Sequence, residues 1–442
     1  MDIPTPGLNI AVIGTGVSGM AAAWLLNQNH HVTVFEQDRR IGGHANTVMA
    51  DGVPVDTGFI VYNETNYPNL TALFRHLDVA TRSTEMSFAA SLEDGGFEYG
   101  GGSLAALFAQ KRNLLRRPFW SMLRDLRRFF REAPDDLGWA DHDLISLGQY
   151  LDEKGYGEAF QQRHLIPMAA AIWSASAADI RAYPAHAIIR FYQNHGLLEF
   201  TNRPIWRTVI GGSAAYVTKL TAAYASRIRL ETGVAKIRRL PSGVEIRDTQ
   251  GQTHRFDHVV IATHADQALT MLDDPNEMET SLLGAFRYTR NLAVLHDDVS
   301  FMPQRRKVWS SWNYVQRQAN PAPEITYWMN LLQGLTETTQ LFVTLNPQRD
   351  PRRMLASEWY EHPQFDTAAL RAQRCLSLLQ GARNTWFCGA YFGAGFHEDG
   401  LSSGLSVAES LGGVCRPWSV SPAAQWDNAD ATNDYIREEA IR

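Results

Sequence analysis

Apolar positions along the chain change pattern several times, and each pattern predicts a different element. Leu8 to Val12 reads as a short buried strand, Met20 to Asn27 is helical in pattern, and His31 to Phe35 reads as a second strand. Phe256 to Ala262 and Asn384 to Cys388 are further short buried-strand patterns, the latter followed by a glycine-dense turn and a helical pattern through about Leu411. Residues 104–200 carry mostly helical periodicity. Residues 291–345 alternate apolar and polar in four places, Leu292 to Leu295, Val308 to Tyr314, Ile325 to Leu331 and Leu341 to Leu345, which predicts strands of a half-covered sheet. The tail from Arg416, with Asp427, Asp430 and Asp434 and little apolar content, reads as a loose extension.

The turn between the first strand and helix is Gly14-Thr15-Gly16-Val17-Ser18-Gly19, and the second strand ends in Glu36, close to the ~20-residue offset expected of a ribose-binding carboxylate. Strand, glycine turn, helix, strand and acid make a dinucleotide-binding unit. Gly14 makes the tight turn, Gly16 lets main chain approach a pyrophosphate, and Gly19 permits close helix–strand packing, with the helix N-terminus facing the anion. Glu36 would accept from ribose hydroxyls, and its charge disfavours a 2′-phosphate. NADP is therefore disfavoured, leaving NAD and FAD.

Composition adds exclusions. The 442 residues allow two or three domains, and 45% apolar with 20% charged residues describes a globular chain. A net charge of −6 gives no global basic field, so nucleic acid is not an expected partner. Cys375, Cys388 and Cys415 are widely spaced, which writes neither a disulfide framework nor a metal site and fits a reducing cytoplasm. Leu8 to Leu26 lacks the basic start of a signal peptide and is broken by three glycines, and no run approaches the ~20 apolar residues of a membrane span.

One stretch has a local basic field. Lys111 to Glu132 holds eight bases against two acids, interleaved with Leu114, Leu115, Phe119, Trp120, Met122, Leu123, Leu126, Phe129 and Phe130. It reads either as an interfacial helix on anionic lipid or as an ordinary amphipathic helix with one solvated face.

After Glu36 the chain continues Arg39-Arg40-Ile41-Gly42-Gly43-His44 and then Val55-Asp56-Thr57-Gly58. This resembles the flavin-containing amine oxidase and phytoene desaturase superfamily, in which an Arg-x-Gly-Gly turn follows the ribose acid. A Gly-Gly pair lets main chain pass close to a large planar cofactor. The segments Ile228 to Ile237 and Gly389 to Leu405 resemble the middle strand and the C-terminal turn and helix of the same superfamily. The resemblance implies FAD as cofactor and a mixed α/β fold, with a Rossmann-like FAD-binding domain of the amine oxidase type and an inserted substrate domain of antiparallel sheet plus helical cap. The FAD-binding domain is then discontinuous, at 1–75, 205–290 and 380–415, the substrate domain spans 76–204 and 291–379, and 416–442 is tail. Cofactor contacts are implied at Gly14, Gly16, Ser18, Gly19, Glu36, Gln37, Arg40, Gly42, Gly43, His44, Gly58, Val234, Gly389 and Leu401.

Amine oxidases of the superfamily commonly carry a lysine on a strand of the substrate domain, and Ser281 to Phe301 has none. The stretches Leu295-His296-Asp297-Asp298 and Trp309-Ser310-Ser311-Trp312-Asn313-Tyr314 are instead similar to a bacterial group of NAD/FAD-binding proteins that often accompany cyclopropane-fatty-acid-synthase-like methyltransferases. That group also resembles flavin-dependent fatty acid desaturases and double-bond isomerases, including those of methyl-branched and furan fatty acid synthesis. The resemblance implies a long-chain acyl substrate, free or in phospholipid, and a functional link to a fatty acid methyltransferase, while the cysteine usage and the basic stretch 111–132 lead to the expectation of a cytoplasmic protein peripheral on the inner face of the membrane. An amine oxidase, a double-bond isomerase and a non-catalytic flavoprotein partner are the alternatives. Candidate catalytic groups are His397, Glu398, Tyr391 and His164, against the plainer reading of structural histidines and a helix-capping glutamate. Trp309, Trp312, Tyr314, Tyr327 and Trp328 are candidates to line an apolar tunnel, or else core.

Overall fold

The first strand, Asn9–Ile13, lies at the centre of a five-stranded parallel sheet because its apolar run is covered on both faces. The order across the sheet is Ile228–Arg229, His31–Phe35, Asn9–Ile13, His258–Ile261 and Thr385–Phe387. A computed structural model describes residues 7–137, 145–173, 175–199, 203–317, 322–336, 338–412 and 414–420. The acidic tail positions Asp427, Asp430 and Asp434 fall outside the described residues.

Successive residues of the central strands serve two different cores, as a two-residue repeat requires. Ile10, Val12, Val32, Val34 and Val260 pack with the helices Val17–Leu26 and His397–Gly412. Ala11, Ile13, Phe35, Val259 and Ile261 pack on the other face with Ile237, Val244 and Ile246 of a three-stranded antiparallel sheet formed by Val234–Leu240, Gly243–Asp248 and Thr253–Phe256. The two helices cross closely because the crossing point lacks a side chain: a Cβ on Gly404 would overlap the Ser18 carbonyl. Gly19 serves the packing of helix on sheet, since a Cβ there would overlap the Gly14 carbonyl and stand 3.1 Å from Ala262 Cβ.

The remaining chain builds a seven-stranded mixed sheet in the order Met354–Gln364, Arg287–His296, Phe342–Leu345, Glu324–Trp328, Trp312–Val315, Phe88–Leu92 and Phe97–Gly100. The pairings are antiparallel except that between Trp312–Val315 and Phe88–Leu92. Strands were expected within 291–345 and occur there. Met354–Gln364 was not anticipated, since its Glu358, Glu361 and Pro363 break the apolar alternation. Such a sequence is tolerated at a sheet edge, where this strand lies. Helices Arg117–Asp136, Leu147–Glu153, Ile166–Trp173 and Ala185–Asn194 cap the sheet and share one apolar core with it. Among the described residues no helix is long and apolar enough to cross a membrane.

Candidate active site

A cavity of about 990 Å³ runs from the glycine turn of the parallel sheet to the space between the seven-stranded sheet and its helical cap. At the first end, Gly14 has φ +98°, and a Cβ there would stand 2.9 Å from the Ala262 carbonyl oxygen. Gly16 caps the helix that starts at Val17, and a Cβ on it would meet no protein atom within 4 Å. The space it would enter belongs to the cavity. Glu36 is buried and already oriented: its Oε2 accepts from Thr15 N at 2.9 Å and from the Thr15 hydroxyl, and its Oε1 accepts from Asp38 N at 3.0 Å. Thr15, an unspecified position of the glycine motif, is thus a positioning residue that motif reading passes over.

The Arg-x-Gly-Gly turn is fastened to the first turn. Gly42 N donates to Thr15 O at 3.1 Å, and Gly43, at φ +56°, brings its main chain so near that a Cβ would be 3.2 Å from Gly16 Cα. Arg40 donates to the Gly43 carbonyl at 2.7 Å and lies 3.4 Å from Glu358, so it shapes the turn as well as lining the cavity. Gly58, just beyond the strand Val53–Asp56, passes so close to His44 that a Cβ would overlap the His44 carbonyl.

Of the residues expected at the cofactor, Gly14, Gly16, Ser18, Glu36, Gln37, Arg40, Gly43, His44, Gly58, Val234 and Gly389 line this one cavity. Gly19, Gly42 and Leu401 do not. Gly19 and Gly42 are packing positions, the latter because a Cβ would lie 2.5 Å from the Ala45 carbonyl oxygen, and the Leu401 side chain is fully buried in the helix core.

The four catalytic candidates separate. His397 lines the cavity, stacked on Phe59 at 3.9 Å with its Nε2 2.6 Å from the Tyr216 hydroxyl, and burial pushes its pKa down to about 3. Tyr391 also lines it, its hydroxyl buried with no hydrogen-bond partner among the described residues and its pKa raised by that burial. Glu398 turns away. Its carboxylate accepts from Asn69 N, Leu70 N and Asn69 Nδ2 at 2.8–2.9 Å, capping the helix Pro68–His76, because the residue after His397 on a helix points about 100° around the axis. His164 sits behind the wall, in a π-helical turn at Gln161–Leu165, with Nδ1 2.8 Å from the Tyr99 hydroxyl and its edge against Phe88. Burial lowers its pKa to about 4.

The aromatic candidates divide too. Trp312 and Tyr327 line the cavity. Trp328, the next residue on the strand after Tyr327, faces the opposite side and with Trp309 encloses Arg306, while Tyr314 is buried core.

Sequence reading missed a group on the opposite wall: His264, Tyr288, Glu361 and His362. His264 stacks on Tyr288 at 4.3 Å and its Nδ1 is 3.2 Å from Glu361, and His362 lies 5.4 Å from His44 and bonds Asn291 at 3.0 Å. Burial is the largest influence on each histidine and lowers all three pKa values, with His362 at about 4. Nothing local could have revealed this group, because it is assembled from the loop after one strand and two strands of another sheet.

Beyond these groups the cavity is walled by cap residues Met168, Ile172, Trp173 and Phe191 and by sheet residues Phe88, Trp312, Tyr327 and Leu345. Phe191 stacks on Phe396 at 4.8 Å, and exposed Arg203 stands at the rim. The chain's lysines, Lys111, Lys154, Lys219, Lys236 and Lys307, all lie elsewhere.

A glycine cradle at a helix N-terminus, a pre-oriented ribose acid and a second glycine turn fastened to the first are fitted to a dinucleotide that carries a flavin. The model of the flavin containing amine oxidoreductase family matches residues 17–328, and the chain belongs to that family, with FAD as its cofactor. A curated Mycobacterium tuberculosis protein named for flavin-containing monoamine oxidase activity is 27% identical over 273 residues, so the matched part spans 61% of this chain and 60% of that one. Among solved structures, the fold is shared with a conjugated-linoleic-acid-producing fatty acid isomerase from P. acnes at TM-score 0.67 and 14% identity. Cyclohexylamine oxidase from Brevibacterium oxydans gives 0.66 and 18%. Each alignment covers 92% of this chain and 99% of the other.

Proposed function

We propose that the protein is an FAD-dependent oxidoreductase that dehydrogenates a long, predominantly apolar acyl chain. The observation that carries this is the arm between cap and sheet, whose walls are aliphatic and aromatic. The acids that line the cavity come from 36–38, 266 and 358–361, and none from the cap helices. An alkyl chain is stabilised by such walls through burial at roughly 25 cal/mol per Å², whereas an ammonium ion would be desolvated there with ring faces but no cap carboxylate beside it among the described residues. Arg203 at the rim is a cation suited to a carboxylate or phosphate at the chain's polar end.

FAD supplies a two-electron acceptor that takes hydride from a C–H bond. The protein's own part is threefold. The glycine turns and Glu36 hold the nucleotide, the apolar arm excludes water and aligns the chain, and His397 is a neutral hydrogen-bonding group on the cavity wall. Burial keeps it neutral through the physiological range, with its Nε2 hydrogen-bonded to the Tyr216 hydroxyl at 2.6 Å.

The test is anaerobic flavin absorbance of the holoprotein mixed separately with unsaturated or methyl-branched fatty acids, with vesicles containing such chains, and with primary and secondary amines. Bleaching by acyl chains and not by amines is expected, and Met168→Trp, which fills the arm, should abolish it while leaving FAD bound. Bleaching by amines alone overturns the acyl reading in favour of an amine oxidase. Conversion of double-bond position without net bleaching would make the protein an isomerase.

A further inference from the structure

The basic stretch forms one continuous exposed face. The helix Arg117–Asp136 buries Phe119, Met122, Phe129 and Ala133 and turns Arg117, Trp120, Arg124, Arg127 and Arg131 to solvent, at spacings of three and four that hold them on one side. Large apolar side chains stand among these bases. Leu115 is 90% exposed, Leu104 74%, Trp120 49% and Leu114 42%. They form one patch. Trp120 Nε1 donates to the Leu114 carbonyl at 2.8 Å, its ring lies 6.3 Å from Phe108, and Phe108 N bonds Leu104 O at 3.0 Å.

The two acids of this segment offset only part of its charge. Asp125 is buried and accepts from Gly157 N at 3.0 Å and from Arg124 Nε at 3.1 Å, and Glu132 pairs with Arg128 and Arg131 at 2.9 Å, which leaves Lys111, Arg112, Arg117 and Arg127 with no carboxylate partner among the described residues. The patch is also joined to the cavity wall. Gly101 N bonds the carbonyl of Phe88, a lining residue, at 2.7 Å, and the chain reaches Leu104 three residues later.

We propose that this face, centred on Leu104, Leu114, Leu115 and Trp120 and ringed by Lys111, Arg112, Arg117, Arg124 and Arg127, docks the protein on an anionic lipid bilayer. Charge selects this occupant over a second copy of the chain. The molecule carries −6 overall, so an anionic surface repels most of it and attracts this face, which fixes the orientation. A like face on a second copy would set base against base. The apolar side chains then enter the headgroup region as those of interfacial helices do. Docking rests on this face and does not depend on which compound the flavin oxidises. Its failure and the failure of the acyl reading are therefore separate results.

The experiment is co-sedimentation of the full-length holoprotein with vesicles of phosphatidylglycerol and phosphatidylethanolamine, and with phosphatidylcholine vesicles, at 0.1 M salt. Binding to the anionic vesicles is expected to be at least tenfold tighter. Arg117→Gln and Arg127→Gln should each weaken it about fivefold, and Leu115→Ser with Trp120→Ser should abolish it with the melting temperature and FAD content unchanged. Equal binding to both vesicle types, no binding to either, or loss of binding only in variants that also melt early overturns the proposal. A lipid-free dimer that Leu115→Ser dissociates would identify the occupant as a second copy and overturn it as well.

Discussion

Replacing Gly16 by alanine should separate cofactor binding from folding. The residue has φ −60° and ψ 171°, which alanine adopts freely, and a Cβ there meets nothing within 4 Å in the protein. Two small effects on the apoprotein oppose each other. Alanine is a poorer helix N-cap than glycine by up to ~1 kcal/mol, and the loss of glycine's freedom in the unfolded chain restores ~0.4–1 kcal/mol. The apoprotein should therefore melt within about 4 °C of wild type. FAD binding should respond differently, because the new methyl group occupies the space where main chain and pyrophosphate approach each other. Overpacking of that kind costs about 1–3 kcal/mol, which raises the FAD dissociation constant roughly 5- to 150-fold. Calorimetry on the apoprotein and fluorescence titration of FAD into it give the two numbers independently. Unchanged FAD affinity would refute the assignment of the pyrophosphate to this turn. A fall in apoprotein melting as large as the fall in binding energy would refute the claim that the site is open. Gly404→Ala is the opposite case: its Cβ would overlap the Ser18 carbonyl, so the apoprotein itself should be destabilised.

Three other perturbations follow from the geometry. Glu398→Ala leaves the donors of Asn69 and Leu70 without their acceptor in a buried setting and should cost about 1–3 kcal/mol in urea unfolding, with kcat unchanged, since the carboxylate faces a helix end and not the cavity. Arg239, whose side chain is fully buried against Glu279 and Asp274, should lose about 3–5 kcal/mol on replacement by alanine, and Arg239→Met with Glu279→Leu should recover much of it in thermal melts. His397, held neutral by burial with its pKa at about 3 against 6.5 for a free histidine, binds a proton in the unfolded chain that the folded chain refuses. Its contribution to stability is therefore fully present above pH 6.5 and falls as the pH drops toward 3, by ~3 kcal/mol at pH 4.5. His397→Asn should flatten that part of the acid limb when unfolding is compared at pH 4.5 and 7.5, and an unchanged slope would count against a buried neutral histidine.

The cofactor end was readable because its chemistry depends on main chain. A pyrophosphate at a helix N-terminus requires glycine at Gly14 and Gly16 whatever surrounds them, and a ribose requires an acid at the end of the next strand. The second glycine turn was legible for the same reason, although the fastening of Gly42 to Thr15 was not. The substrate side depends on which side chains face one another. His397 and Glu398 are neighbours of similar promise in sequence, and only the helix phase at residue 397 sends one to the cavity and the other to the cap of Pro68–His76. Tyr327 and Trp328 are divided in the same way by strand alternation.

By itself, then, the sequence determined the mixed α/β class, the parallel sheet with its glycine turns and the identity of the cofactor, since each is encoded in residues near one another along the chain. Tertiary structure alone decided the wall built from His264, Tyr288, Glu361 and His362 and the edge strand that carries two of them. It also decided the placement of His164 behind Phe88, and the solvent face on which Leu115 and Trp120 stand among arginines. These arise from contacts between segments tens to hundreds of residues apart, and side-chain direction, burial and the resulting pKa shifts exist only once those segments are packed together.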